Sequence, residues 1–235
     1  MEEKELKTSV KQRIIIGAIA VILVGSFIAS YALIIMGGSK NSSSSSSGIS
    51  DEKKAQYEAE YQEKMASFKT LTESDYNKFV AQKDVIKSYN ESAANTSGIQ
   101  TKDLVTGTGR TLEEGDTNYL AYYVGWCADE TIFDSSFDNA TNPTQFKGAL
   151  DASMGLIEGW NAGVVGMKLG GIRRITIPGE LAYGDNMEIC GGYNKPLRFM
   201  VMAVEKSDSL KAAASELDTA YMKYQYAQYG IDYGE

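Results

Sequence analysis

The first pattern in the chain is a run of 23 uncharged, mostly apolar residues from Ile14 to Met36. At about 1.5 Å per residue, a helix of this length spans roughly 34 Å, enough to cross a hydrocarbon core of about 30 Å. Because the run is apolar all round, whereas a soluble helix keeps a polar face, it predicts a transmembrane helix rather than a buried core helix. It is also longer than the apolar region of a cleaved signal peptide, about 7–15 residues, so an uncleaved signal anchor is favoured over a cleaved signal.

Basic residues flank this run unequally. Residues 1–13 contain four lysines or arginines, whereas only Lys40 follows the run closely. Basic residues are retained on the cytoplasmic side of a membrane, so the N-terminus is expected in the cytoplasm and the bulk of the chain outside it. The sequence thus predicts a single-pass membrane protein whose larger part is extracytoplasmic.

Two stretches beyond the run show helical periodicity. A Gly/Ser-rich linker, residues 37–50, precedes residues 51–92, in which apolar side chains recur every three or four positions. The capping-box pattern Thr-Leu-Thr-Glu at 70–73 predicts that a second helix starts there. Residues 207–228 have the same periodicity, and Gly230 is predicted to end that helix. We expect these helices to pack as a layer beside the domain between them; self-association or partner binding is the alternative use of their apolar faces.

Between the helical stretches glycine is frequent, and three short runs have strand character. These runs are Tyr119–Val124, Ile172–Ile177 and Arg198–Val204. The predicted organisation is a cytoplasmic segment (1–13), a signal anchor (14–36), a linker (37–50), a helical stalk (51–96), a folded domain (97–206), and a C-terminal helix and tail (207–235).

Composition removes several classes of function. The net charge is −8, and because residues 1–13 sum to +1, the remainder carries −9, which argues against nucleic acid as a partner. The chain contains no histidine, so Ser-His-Asp and Cys-His catalysis and imidazole-ligated metal sites are excluded. Neither a metal nor a cofactor is expected. Any enzyme built from this chain must work mainly by shape and by exclusion of water.

The most specific motifs lie between Gly98 and Val204. In order they are YLAYYVGW (119–126), TIFDSSF (131–137), LIEGWNAGVVGMKLGG (156–171), TIPGELAYGD (176–185) and PLRFMVMAVE (196–205). In this order and spacing they resemble the FKBP family of peptidyl-prolyl cis–trans isomerases. The resemblance covers about 107 residues, nearly half of the chain.

This resemblance implies an α+β fold, in which a strongly curved antiparallel sheet of five or six strands wraps around one short helix. The active cleft would lie between that helix and the sheet, with Trp160 as its floor. The residues that the resemblance assigns to catalysis are Tyr123, Phe133, Asp134, Ile157, Trp160 and Tyr183. Those that it assigns to substrate binding are Leu156, Phe146, Leu197, Phe199 and Ile189.

The residue chemistry suits this activity. Rotation about a peptide C–N bond is opposed by roughly 18–20 kcal/mol of resonance, and X–Pro bonds exchange over tens of seconds or longer. The twisted amide loses conjugation and is less polar, so a dry aromatic pocket should favour it over the planar form. The expected function is isomerisation of exported or membrane-proximal polypeptides that contain proline, as a folding helper outside the cytoplasm.

The loop 185–196 departs from the family pattern. Members of the family usually carry a histidine and paired isoleucines there, whereas this loop has no histidine, one isoleucine (Ile189) and Cys190. A catalytically silent, FKBP-like binding module is therefore the alternative function. Cys190 and Cys127 are the two cysteines of the chain, and a disulfide between them or two unpaired thiols both fit the sequence.

Overall fold

The computed structural model describes residues 49–233. The predicted cytoplasmic segment, the signal anchor at 14–36 and nearly all of the linker lie outside the described residues. Within 49–233, no helix combines the length and the apolar character that crossing a bilayer requires.

Four α-helices and six strands make up the described part of the chain. The helices are α1 (Asp51–Val80), α2 (Glu91–Thr96), α3 (Glu158–Gly163) and α4 (Asp208–Gln228). The strands are β1 (Gln100–Val105), β2 (Tyr119–Trp126), β3 (Ile132–Ser135), β4 (Leu150–Asp151), β5 (Ile172–Ile177) and β6 (Leu197–Glu205). Short 3₁₀ turns lie at Lys83–Val85, Ala152–Met154 and Gly179–Leu181.

The strands form one antiparallel sheet in the order β1–β5–β6–β2–β3, with the two-residue strand β4 also paired to β2. The short helix α3 packs against one face of this sheet, mainly on β5. The predicted α+β architecture, an antiparallel sheet around one short helix, is confirmed. All three predicted strands are present, and two of them extend slightly beyond their predicted bounds.

Both faces of the sheet are covered, and the strand residues alternate between two cores. In β2, Leu120, Tyr122 and Val124 pack with residues of α1 and α4, whereas Tyr119 and Ala121 pack with residues of α3. A strand buried on both sides reads as a continuous apolar run rather than an alternating one. This explains why the sequence of β2 shows no period of two.

Helix α1 is one continuous helix, and the capping-box prediction at 70–73 is wrong. The Thr72 hydroxyl donates to the Phe68 carbonyl at 2.8 Å, and the Thr70 hydroxyl donates to the Ala66 carbonyl at 3.0 Å. Both threonines thus bond back into the preceding turn instead of capping a new helix. The N-cap is Ser50, whose hydroxyl accepts from the Lys53 amide at 3.2 Å.

The helical region also ends earlier than the predicted residue 92, because the chain leaves α1 at Val80 and turns toward the sheet. The Tyr89 amide then donates to the Ala128 carbonyl at 3.1 Å, beyond the end of β2. Its hydroxyl donates to the Pro196 carbonyl at 2.8 Å, and the Arg198 guanidinium lies over its ring at 4.2 Å. Tertiary contacts of Tyr89 thus replace the helical turn that the periodicity favoured.

The predicted layer of helices is confirmed, since α1 packs along α4 and both cover the outer face of the sheet. Lys64 pairs with Glu216 and Lys223 pairs with Glu60, both at 2.9 Å, and the ring of Tyr61 stacks on that of Tyr224. The last helix ends as predicted: Gly230 has a φ of +75°, a conformation that glycine adopts without strain. The apolar stripes are thus used within the chain.

Candidate active site

Four aromatic side chains from four elements meet at one hollow on the inner face of the sheet. The indole of Trp160 lies 5.6 Å from the ring of Tyr123 and 5.3 Å from that of Phe199, both edge to face. Phe133 adds a further wall at 5.5 Å from Phe199. Trp160 is only 2 % exposed, which is consistent with its predicted place as the floor of the hollow. The site is therefore an aromatic hollow between α3 and the sheet, at which Tyr123 and Phe133 are partly exposed.

A glycine in β2 allows two of these walls to approach the sheet. A Cβ added to Gly125 would lie 2.5 Å from the Phe133 ring and 2.8 Å from the Phe199 ring, far inside contact distance. Any side chain at this position would push both rings into the hollow. The absence of a side chain at Gly125 is thus part of the shape of the site.

The floor is fixed by polar contacts beneath it. The Trp160 indole Nε1 donates to the Tyr119 hydroxyl at 3.1 Å, in the buried interior. Arg173 on β5 donates from Nη1 to the carbonyls of Gly163 and Val165, at 3.0 and 2.8 Å, where helix α3 ends. The same guanidinium pairs with Asp103 on β1, with Nε at 2.6 Å from Oδ1. Tyr119 on β2 and Arg173 on β5 therefore both hold α3 against the sheet.

Asp134 is oriented toward its neighbours in the wall. Its Oδ2 accepts a short hydrogen bond from the Tyr123 hydroxyl, and its Oδ1 accepts from the Ser135 amide at 2.8 Å. The main chain of Tyr123 is tied to the same loop, since its amide donates to the Ser136 hydroxyl at 3.0 Å. This geometry favours a role for Asp134 in orienting Tyr123.

The two tyrosines of the hollow keep their protons over the whole physiological range. Burial, and next the charge of Asp134, raise the pKa of the Tyr123 hydroxyl well above its ordinary value of 10.0. Burial and then Asp134 also raise the pKa of Tyr183 to about 12. Both hydroxyls therefore remain hydrogen-bond donors: that of Tyr123 donates to Asp134, and that of Tyr183 keeps a proton to donate.

The remaining predicted residues, apart from Phe146, lie around Trp160, and Leu197 among them is fully buried in the core. Leu156, Ile157, Leu197 and Ile189 belong to, or pack against, the same apolar cluster as Trp160. Ile157 stands at the N-cap of α3, where its carbonyl accepts from the Trp160 amide at 3.1 Å.

Phe146, which the sequence analysis placed in the substrate-binding set, lies elsewhere. It is fully buried under α1, where its ring stacks on Tyr122 at 3.9 Å and meets Phe79 at 5.6 Å. Tyr122 points to the opposite face of β2 from the hollow. Phe146 is thus a core residue between the sheet and the helical layer.

The rim loop, residues 178–196, carries Tyr183 and ends at β6. At its tip, Ile189 and Gly192 exchange two backbone hydrogen bonds, at 2.9 and 3.2 Å. Between them Cys190 and Gly191 both have positive φ, +55° and +75°, which is the conformation of a type I′ turn. Cys190 is joined by a disulfide to Cys127 at the end of β2, with 5.5 Å between the Cα atoms. Of the two states left open by the sequence, the structure contains the disulfide.

Asn95 of helix α2 braces the base of the rim loop. Its side-chain oxygen accepts from the Gly179 amide at 2.8 Å, and its side-chain nitrogen donates to the Asn194 carbonyl at 3.2 Å. One residue thus holds both ends of the loop. Glu91 of the same helix pairs with Lys195 at 2.7 Å.

Replacing Asn95 with alanine is expected to lower kcat/KM by roughly threefold to tenfold, because the base of the rim loop loses two hydrogen bonds of about 1 kcal/mol each. Asn95→Asp should have a smaller effect, since it keeps the acceptor for Gly179. Steady-state kinetics on an X–Pro peptide measure the change. Asn77→Ala, an exposed substitution on α1, is the control, and equal kinetics for Asn95→Ala and this control would contradict the brace.

The same hydroxyl deletion at two positions of β2 is expected to have opposite effects on stability. The Tyr122 hydroxyl is buried without a hydrogen-bond partner among residues 49–233, so Tyr122→Phe should raise the free energy of unfolding by about 1 kcal/mol. Tyr119→Phe should lower it by about 1 kcal/mol, because the indole N–H of Trp160 loses its acceptor. Urea unfolding measures both values, and a shift of the same sign in the two variants would refute this difference.

Four residues that shape the site were not found from the sequence. Tyr119, Arg173 and Gly125 lie inside the motif block but have no distinctive spacing of their own. Asn95 precedes the block altogether. Two adjacent arginines, Arg173 and Arg174, in a predicted strand are the available signal, because adjacent strand residues face opposite sides and a buried guanidinium requires a partner such as Asp103.

Comparisons with known proteins agree with the motif block. Residues 109–203 match the model of a family described as FKBP-type peptidyl-prolyl cis-trans isomerase. An FK506-binding protein of Neisseria meningitidis serogroup B is 35% identical over 108 residues, which cover 46% of this chain and 93% of that protein. FK506-binding protein 4 of Gibberella zeae is 39% identical over 87 residues, 37% of this chain but only 16% of the relative's length. A solved peptidyl-prolyl cis-trans isomerase from Pseudomonas syringae pv. tomato has 25% identity and a TM-score of 0.36, covering 57% of this chain and 93% of that one.

Proposed function

Because the chain belongs to the family of FKBP-type peptidyl-prolyl cis–trans isomerases, we propose that it isomerises X–Pro bonds of exported polypeptides from a membrane tether. The observation that carries the proposal is the convergence of Tyr123, Phe133, Trp160 and Phe199 on one hollow, with Tyr183 at its edge. Each of these five residues was assigned to the site from the sequence.

Catalysis would come from the contrast between the planar and the twisted imide. The planar form is polar because resonance places charge on its oxygen, whereas the twisted form has lost this conjugation. Transfer from water into the aromatic hollow penalises the polar planar form more. The hollow thus binds the transition state more tightly than the ground state, which is the requirement for catalysis.

Hydrogen bonds at the edge of the hollow would hold the substrate in place. The raised pKa of Tyr183 keeps its hydroxyl protonated, so that it can donate to a substrate carbonyl. The Ile157 amide is a second donor at the mouth. Asp134 fixes the orientation of the Tyr123 ring by accepting its hydroxyl hydrogen bond. Because both of its carboxylate oxygens already accept hydrogen bonds, Asp134 would position Tyr123 and would not transfer a proton to the substrate.

The required energy is modest. Each 1.36 kcal/mol removed from the barrier gives a tenfold gain in rate, so about 5 kcal/mol gives several thousandfold. Desolvation and two or three hydrogen bonds of about 1 kcal/mol each can supply this amount.

A refolding assay tests the substrate class. The full chain, in detergent, is added to an unfolded polypeptide whose refolding waits on one X–Pro bond, and the slow phase should accelerate. The matched control substrate carries alanine in place of that proline, and its refolding rate should not change. Equal acceleration of both substrates would indicate general chaperoning, and no acceleration of either would contradict the proposal.

The extracytoplasmic location is supported by the uncharged run at 14–36, by the basic segment before it and by the disulfide, which persists in oxidising compartments. A membrane-impermeant protease added to intact cells tests it. We expect the bulk of the chain to be digested from outside. Protection until the membrane is permeabilised would contradict this topology.

A further inference from the structure

A groove continues from the aromatic hollow along the other side of Ile157. It has a volume of about 640 Å³ and runs between the turn that precedes α3 and the first part of the rim loop. Its lining includes Leu156, Ile157 and Tyr183, which also pack against the cluster that contains Trp160, so the groove adjoins the hollow. Grooves that bind ligands have volumes of about 300–1,000 Å³, and this one has room for several side chains.

The floor of the groove is apolar and its lip is acidic. Ala152, Leu156 and Leu181 contribute carbon surface, and two exposed carboxylates line the groove, Glu158 from α3 and Glu180 from the rim loop. Neither carboxylate takes part in an ion pair among residues 49–233. Lys206 lies near the 3₁₀ turn Ala152–Met154, but its ammonium group is already paired with Asp151 at 2.7 Å.

We propose that this groove binds the residues that flank the X–Pro bond of the polypeptide substrate, and that it prefers an apolar residue next to a lysine or arginine. The inference rests on the proposed isomerase function. A substrate bound in the hollow must leave it in both chain directions, and the groove is contiguous with the mouth at Ile157. The apolar floor selects an aliphatic neighbour, and the two carboxylates select positive over negative charge.

Three sets of peptides test this specificity. All share one Leu-Pro core, which is left unextended, extended by Leu-Lys, or extended by Leu-Glu, at either end. With the full chain at low salt, kcat/KM for the Lys-extended peptide should exceed that of the Glu-extended peptide roughly fivefold, since two exposed charge pairs contribute modestly. The preference should shrink as salt is raised, because screening weakens exposed charge pairs.

Charge reversal at the lip provides the matched test. Glu158→Lys with Glu180→Lys should reverse the order of the two extended peptides. Glu58→Lys with Glu63→Lys makes the same change in net charge on the exposed face of α1 and should leave the order as it is. If the reversed protein does not fold, Glu158→Gln with Glu180→Gln should abolish the preference instead.

Equal rates for Lys- and Glu-extended peptides would overturn the proposed specificity of the groove, and so would a preference that survives the substitutions at Glu158 and Glu180. Neither result would affect the proposed isomerase function. Failure to turn over the unextended core would overturn the proposed function, and the groove with it.

Discussion

Replacing Trp160 with alanine is expected to lower kcat/KM for an X–Pro peptide about a hundredfold. The substitution removes the floor of the hollow and admits water, so that roughly half of an estimated 5 kcal/mol of barrier lowering is lost. The loss should appear partly in kcat itself and not only in KM, because the floor stabilises the twisted form of the bound substrate. Steady-state kinetics with a protease-free assay provide the measurement.

Two further variants separate catalysis from stability. Trp160→Leu keeps an apolar side chain at the floor and should fold, yet it still removes the aromatic face. Trp126→Phe alters the other tryptophan, which is fully buried on the opposite face of the sheet and donates to the Lys87 carbonyl at 3.0 Å. It should lower stability and leave kcat/KM within about twofold of the native value. A larger loss of activity in Trp126→Phe than in Trp160→Leu would contradict the assignment of the floor.

Removing the disulfide is expected to have the largest effect on stability. Cys127 and Cys190 are 63 residues apart, and closing a loop of this length stabilises a protein by about 4 kcal/mol in the chain-entropy model. The double variant Cys127→Ala, Cys190→Ala should lose roughly that amount of unfolding free energy. Denaturant unfolding at equilibrium measures the loss.

Chemical reduction of the native chain is the matched control. It should reproduce the loss of stability without any change of sequence, and it should have no effect on the double variant. Alkylation without reductant should label neither cysteine, and intact mass should rise by about two protons on reduction. Labelling of both cysteines without reductant would refute the disulfide.

Much of the fold was accessible from the sequence because the strand motifs are local. The apolar runs of β2, β5 and β6 are bounded by glycines and polar residues. Such boundaries indicate a strand without any knowledge of the strand that pairs with it. The break predicted at 70–73 failed because a threonine hydroxyl can bond to the carbonyl four residues earlier. The same residues therefore fit the start of a helix and its interior equally well.

The site was accessible because its residues belong to motifs whose order and spacing carry over from the family. Phe146 shows the limit of that inference. It lies in an irregular segment between β3 and β4, where no periodicity indicates which face of the sheet a side chain will meet. Only the packing on Tyr122 and Phe79 decides the matter.

Hydrogen bonds between residues far apart in the chain could not be predicted from local patterns. The two partners of Asn95 are 84 and 99 positions further along the chain. No local pattern distinguishes such an asparagine from one on an exposed surface. The same holds for Tyr119, whose role depends on the position of Trp160, 41 residues away.

The most direct test of the central claim is the exchange rate between the cis and trans forms of a Leu-Pro peptide, measured by NMR with the full chain present. We expect the native chain to accelerate this exchange and the folded double variant Trp160→Ala, Tyr183→Ala to lose nearly all of the acceleration. If exchange is no faster with the native chain than with this double variant, the aromatic hollow is not a site of prolyl isomerisation.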